Sequence, residues 1–400
     1  MDRSSAIRAA VRANGDDAVQ LSEKLFDYAE LPYHELKSSK AMAELLEKAG
    51  FEVEYPFFQE ELGYGSAYRA TLKNGEGPKV AFLAEYDALP GIGHGCGHNL
   101  HGPLSVLAGL AMAKLTDRFS GTVQVIGTPA EEENGAKIPM ASAGIFDDLD
   151  LAVMMHSWSG GISQPDMDVL SLRCYVVEFY GREAHAVAGP WMGASALAAA
   201  RKFLDLVDAR RECFTRDVRF NAILQEGGKA PNIIPGYAKI RLEFRTDSRG
   251  KLEEMDRIVR ACADGAALAM DCRVTFTPGL LDFDDMVRVK SLEAEVSRLL
   301  EENGEKAGEV LPASGSSDLG NVSYRCPAIQ PLISIADQPY ALHTEQLRDA
   351  TRLPKAHQAM EHGACVLAEL AMQVLDDADF RAAVRNDFQQ ALNVKSRRLI

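Results

Sequence analysis

Val80-Ala81-Phe82-Leu83-Ala84 is a run of five apolar residues, and Glu85-Tyr86-Asp87-Ala88-Leu89-Pro90 follows it directly. The run has no polar alternation, so it reads as a strand buried on both faces. Three further runs of this kind occupy residues 123–126, 151–155 and 329–335. Helix-like segments such as 104–115 lie between several of them. Unalternating apolar strands interleaved with helices predict an α/β fold, a mixed, largely parallel sheet covered by helices. Ligands of such sheets gather beyond the carboxyl ends of the strands. Glu85 and Asp87 stand there after the first run, Glu131 and Glu132 after the second, and His156 after the third.

Outward from this core, residues 4–29 and 36–49 read as helices. The second carries Met42, Leu45, Leu46 and Ala49 on one face and stops at Gly50. Residues 66–72 and 79–85 read as strands, and Asn74-Gly75 between them predicts a hairpin. From about 171 the rhythm changes. Strand-like 174–180, helix-like 194–207, strand-like 220–225 and 237–245, helix-like 251–270 and strand-like 273–276 give the order βαββαβ. That order predicts an inserted ferredoxin-like α+β domain. The expected organisation is a catalytic domain in two parts, 1–170 and 281–400, interrupted by a second domain over 171–280. A helix around 355–374 is expected to end the first domain.

The chain has 400 residues, comfortable for two domains. Hydrophobic residues make up 46% and charged residues 25%, which excludes a mainly disordered chain. With 43 basic and 58 acidic residues the net charge is −15, which argues against nucleic acid or an anionic membrane as partner. The longest apolar run falls short of the roughly 20 residues that cross a bilayer. The opening MDRSSAIRAAVRANGDD holds no apolar signal core. Seven widely spaced cysteines argue against a disulfide framework and for a reducing compartment, so a cytoplasmic location is expected. Six of them, all but Cys96, read as small core residues.

The chemistry concentrates in four places. In Gly91-Ile92-Gly93-His94-Gly95-Cys96-Gly97-His98-Asn99-Leu100-His101-Gly102, Cys96 and His98 stand two apart in a glycine-rich turn. Thiolate and imidazole both suit zinc and similar ions, although a flexible loop with a buried free cysteine would read the same way. In Thr128-Pro129-Ala130-Glu131-Glu132-Glu133, three adjacent acids follow an apolar strand, where they repel unless a cation compensates. His156 follows Met154-Met155, and His343 lies in Ala341-Leu342-His343-Thr344-Glu345. Each alone also fits an ordinary loop or core residue. Four such places beyond strand ends, each carrying Cys, His or Glu, point jointly to a metal site.

These motifs resemble the dinuclear metallopeptidase family of aminoacylase, bacterial glutamate carboxypeptidase and the plant indole-acetyl-amino-acid hydrolases. The Cys96-Gly97-His98-Asn99-Leu100-His101-Gly102 wording resembles its amidohydrolase branch, with aminobenzoyl-glutamate hydrolase and the β-alanyl-lysine dipeptidases. The likeness runs from Leu31-Pro32-Tyr33-His34-Glu35 to His343. It implies that Cys96 bridges two divalent ions and that His98, Glu132, His156 and His343 are the other ligands. Zinc is the first expectation, with manganese and cobalt as alternatives. Glu131 resembles the general base, and Asp87 the aspartate that orients a ligand imidazole. Glu85 departs from other branches, many of which have a metal-binding histidine there. In the inserted domain His185 resembles a histidine that reaches a partner subunit's site and helps hold the scissile carbonyl oxygen, which implies a homodimer. Asn232 and Arg245 resemble residues that hold the substrate's carboxylate. Gly315-Ser316-Ser317-Asp318 resembles a loop near the substrate pocket, with no role attached.

The implied activity is metal-dependent hydrolysis of the amide bond of a dipeptide or N-acyl amino acid with a free carboxylate, with Glu131 as base. Two other readings stand beside it: a thiol hydrolase with Cys96 as nucleophile and His98 as base, and a non-catalytic binding protein on the same fold. Trp158 and Trp191 either pack or line the pocket. His101 follows the tight turn and has no assigned role.

Overall fold

The computed structural model describes residues 2–397. It forms two compact units, one built from 2–168 with Met286–Val394, the other from Val169–Asp285. Six strands come first: β1 (Glu52–Glu54), β2 (Tyr68–Asn74), β3 (Lys79–Ala84), β4 (Gly121–Gly127), β5 (Leu151–Val153) and β6 (His156–Trp158). The second unit holds β7 (Ser171–Tyr180), β8 (Ala184–His185), β9 (Arg219–Glu226), β10 (Ile233–Ile234), β11 (Tyr237–Thr246) and β12 (Arg273–Pro278). β13 (Ala328–Ile329) and β14 (Leu332–Ser334) belong to the first.

The sheet of the first unit runs β1-β2-β4-β3-β5-β13. β4, β3, β5 and β13 are parallel; β1 and β2 add an antiparallel edge. Val80, Ala81, Phe82, Leu83 and Ala84 are all fully buried, so β3 is covered on both faces. The helix His98–Ala113 packs on β3 and against the helices Arg3–Tyr28 and Pro354–Asp376. Phe82, Leu104, Val123, Val153, Ile333 and Leu367 share the core between them.

Four sequence-based expectations need correction. First, β2 and β3 are not a hairpin, because β4 inserts between them. The Asn74 side chain instead donates to the carbonyls of Thr116 and Phe119, tying the turn to the segment that leads into β4. Second, the apolar runs 151–155 and 329–335 are each broken: β5 is followed by the separate β6, and β13 by β14. Pro331 has no N–H to donate, so the β13 ladder cannot continue through it, while its carbonyl accepts from the His156 N–H at 2.8 Å. Third, the helix after β3 begins at His98, although Pro103 suggested a later start. Pro103 near the N-terminal end costs one backbone bond, and Gly102 before it has no Cβ to clash with the ring. Fourth, Pro354–Asp376 is followed by a further helix, Ala378–Arg397.

The second unit has the sheet order β12-β7-β11-β9 with every pair antiparallel. The helices Ala196–Arg210 and Arg249–Ala269 complete a βαββαβ chain. On β11, Ala238, Ile240, Leu242 and Phe244 alternate inward, the period-two signature of a sheet covered on one face. They meet Phe203 and Val207 from one helix and Leu252 and Val259 from the other. β8 and β10 form a separate short pair that sets His185 opposite Ile233.

Candidate metal centre

The centre forms where β3 and β4 end. Asp87 leaves the end of β3 and accepts from His98 Nδ1 at 2.9 Å; its other oxygen accepts from the Glu132 N–H at 2.9 Å. A carboxylate only accepts here, so His98 carries its proton on Nδ1 and turns the Nε2 lone pair inward. Nε2 lies 3.6 Å from Glu85 Oε2, 3.8 Å from Glu132 Oε1 and 4.0 Å from Glu131 Oε2. His156 repeats the device. Its Nδ1 donates to the Ser157 carbonyl at 2.8 Å, and its Nε2 faces Cys96 Sγ at 3.5 Å. His343, held at φ 61° with its N–H on the Gly95 carbonyl, sets Nε2 3.3 Å from Glu132 Oε2.

All five expected ligands and Glu131 therefore converge. Cys96 Sγ, His98 Nε2 and a Glu132 oxygen lie within 4.8 Å of one another. His98 Nε2 and Glu132 Oε1 are buried and have no hydrogen-bond partner among the described residues. Orphaned buried acceptors of this kind are costly, and a cation removes the cost. A thiol, two imidazoles and a carboxylate around one point are a donor set that zinc-like ions take. The residues fit a metal.

The electrostatics agree. Burial, with Glu85 and Glu132 close by, pushes the Glu131 carboxyl well above its ordinary value. Burial would raise Glu132 too, but the His343 hydrogen bond and His98 hold it lower. Burial opposes charge on His98, yet Asp87 raises it well above the usual imidazole range. Burial and Glu132 push the Cys96 thiol well up, the opposite of what a free thiolate nucleophile needs.

Of the second-unit candidates, His185 and Asn232 are exposed and adjacent: the Ala186 N–H donates to the Asn232 carbonyl at 2.9 Å across β8 and β10. His185 Nδ1 accepts from the N–H groups of Val187 and Ala188, leaving Nε2 as a donor. Arg245 lies elsewhere. Tyr237 begins β11 and Arg245 pairs with Leu172 near its other end. Eight residues at ~3.3 Å each put them roughly 26 Å apart. One copy of the unit therefore does not bring Asn232 and Arg245 onto the same small carboxylate.

Several residues here escaped the sequence reading. Lys137 is fully buried, with Nζ 2.6 Å from Glu85 Oε1 and 2.6 Å from Asp318 Oδ1. His101 Nε2 contacts Glu85 Oε2 at 3.1 Å. Glu35 accepts from the Ala130 N–H and the Ser66 hydroxyl, and burial with Asp87 nearby pushes it up to about 8. It thereby pins Ala130, at φ 60°, immediately before Glu131. Only Glu35 and Asp318 had a signal, as parts of quoted motifs. Of the cysteines read as core, Cys174, Cys326 and Cys365 are buried, Cys262 and Cys272 are partly so, and Cys213 is exposed; all seven are free. Trp191 is exposed and Trp158 half-buried. No helix among the described residues is long and apolar enough to cross a membrane.

Comparison with known proteins places this geometry. The chain is 33% identical to the Xaa-Arg dipeptidase of Mus musculus, over 96% of this chain and 91% of the relative. It is 25% identical to a p-aminobenzoyl-glutamate hydrolase of Escherichia coli (strain K12), over 96% of this chain and 95% of the relative. The solved Bacillus subtilis YXEP protein, a dinuclear metal binding peptidase, matches with a TM-score of 0.65 at 18% identity, covering 90% of this chain and 99% of that one; this likeness speaks for the fold. The model of Peptidase family M20/M25/M40 matches residues 81–373, and with that span the chain belongs to this family of metal-dependent peptidases and amidohydrolases.

Proposed function

We propose that the protein hydrolyses the amide bond of small dipeptides or N-acyl amino acids that carry a free carboxylate. The observation that carries this reading is the meeting of Cys96 Sγ with the unpartnered His98 Nε2 and Glu132 Oε1 in a buried pocket, with Glu131 alongside. Cys96, His98, Glu132, His156 and His343 hold two divalent ions, zinc first and manganese or cobalt as alternatives. Ions bound there supply Lewis acidity, which activates water at neutral pH and polarises a carbonyl. Asp87 fixes the His98 tautomer, so that the ligand nitrogen always points inward.

Glu131 takes a proton from the attacking water and returns it to the leaving amine. His185, with Nε2–H free to donate, holds the carbonyl oxygen as negative charge develops on it. It does so from a second copy of the chain, in a homodimer. Asn232 and Arg245 bind the substrate: the Arg245 fork suits its carboxylate, and Asn232 acts beside His185. The Mus musculus and Escherichia coli relatives, named for Xaa-Arg dipeptides and p-aminobenzoyl-glutamate, support a small substrate with a terminal carboxylate. Free thiols throughout fit a reducing, cytoplasmic setting.

Glu131→Gln tests the base. The variant should bind the parent's complement of metal and lose activity by a factor of about 100 to 10,000. Retained turnover in a metal-loaded variant, measured on a panel of dipeptides and N-acyl amino acids, would remove Glu131 from the mechanism.

A further inference from the structure

Three groups of side chains in the first unit are close enough to hold a cation, and they overlap. Beside Cys96, His98 and Glu132 stand Glu85, His98, His101 and His156, and also Glu85, Glu131 and Asp318. Glu85 belongs to two of the three, and Glu131 to one. A divalent ion drawn onto Glu85 and Asp318 would also engage Glu131, and a carboxylate bound to metal is a poor base.

The hydrogen bonds separate these groups. His98 Nε2 and Glu132 Oε1 have no partner, whereas both Glu85 oxygens are taken. Glu85 Oε1 accepts from Lys137 Nζ at 2.6 Å. Glu85 Oε2 lies 3.1 Å from His101 Nε2, which is the donor nitrogen because His101 Nδ1 accepts from the Ser157 N–H at 3.2 Å. Asp318 is engaged twice by the same lysine, by Nζ at 2.6 Å and by the Lys137 backbone N–H at 3.2 Å. Lys137, Glu85 and Asp318 are each fully buried. The lysine cannot swing into solvent, and leaving either carboxylate alone would strand a buried charge.

We propose that Lys137 is a positioning residue, a built-in cation that holds Glu85 and Asp318 out of the metal shell and so keeps Glu131 unliganded. This rests on the reading of Cys96, His98, Glu132, His156 and His343 as ligands and of Glu131 as base. An ammonium placed between Glu85 and Asp318 compensates the carboxylates as a metal would. It has no lone pair to ligate, and it repels a second cation at the same point. The divalent ions are left the thiol and imidazole side of the pocket.

The test counts ions. The full chain and its variants are stripped, loaded with manganese, desalted and measured by elemental analysis, with circular dichroism to verify folding. The parent should hold two ions per chain. Glu85→Gln should also hold two, because Glu85 is not a ligand. Lys137→Met should gain an ion, and its kcat should fall on the order of 100-fold with KM little changed, because the gained ion captures Glu131. A Glu85→Gln protein that loses an ion overturns the proposal, as does a folded Lys137→Met protein with the parent's count. Should Lys137→Met not fold, the Glu85→Gln count decides alone: two ions support the proposal and one overturns it. A parent that binds no divalent ion overturns the reading of the whole centre, which is a different failure from equal counts in parent and Lys137→Met.

Discussion

An imidazole can offer a ligand lone pair from one nitrogen only when something else holds the proton on the other. Asp87 does this for His98 and the Ser157 carbonyl does it for His156. Asp87→Asn should therefore act on the metal without touching it. An amide presents both a donor and an acceptor to Nδ1, so the inward tautomer is no longer imposed. We expect metal affinity to fall about 10- to 100-fold, as is typical when such a partner is lost. Competition against a fluorescent chelator reads this directly, and an unchanged affinity would show that the ring is fixed by packing alone. The ligand residues were legible in the sequence because Cys, His and Glu after apolar runs are conspicuous. Lys137 was not. In Gly135-Ala136-Lys137 it looks like any exposed lysine, and its burial follows only from two carboxylates, 52 and 181 residues away, that fold onto it.

The helix that carries His98 must lie close to β3 for these contacts to form. Gly102 allows it: a Cβ there would fall 2.1 Å from the Glu85 carbonyl oxygen. Gly102→Ala must push helix and strand apart, at a cost of about 1–3 kcal/mol typical of overpacking. The expected result is a lower denaturation midpoint together with weaker metal binding, because His98 and Glu85 sit on the two elements that separate. A variant with parent-like stability would mean that the helix shifts freely. At this scale local pattern served well where one element decides its own form, as in the alternation of β11 or the unalternating β3. It failed where a distant partner decides. Asn74-Gly75 has hairpin chemistry, yet β4, formed 47 residues later, takes the place beside β2. Pro103 reads as a helix boundary until Gly102 is seen to relieve the clash behind it.

For the molecule as a whole, the two units answer to different physics. The first buries a parallel sheet on both faces around a centre of opposed charges; the second is an antiparallel sheet with helices on one face. The roughly 26 Å between the Asn232 end of β11 and Arg245 is a reason to expect that one active site draws on two copies of the chain. Inactive His185→Ala and Arg245→Ala proteins, dissociated and reassociated together, should then recover about a quarter of the parent's activity. In a two-fold dimer half of the molecules are mixed, and one of the two sites in each is intact. No recovery in a mixture proved to exchange subunits would place both residues at the same site.

The account depends most on two cations lying among side chains drawn from four separate stretches of sequence. Anomalous diffraction from a manganese-loaded crystal tests this without reference to turnover. We expect two peaks, both within bonding distance of Cys96 Sγ, one shared with His98 and His156 and the other with His343, and Glu132 completing the set. No peak at any loading, or density centred between Glu85 and Asp318 in place of Lys137 Nζ, would contradict it.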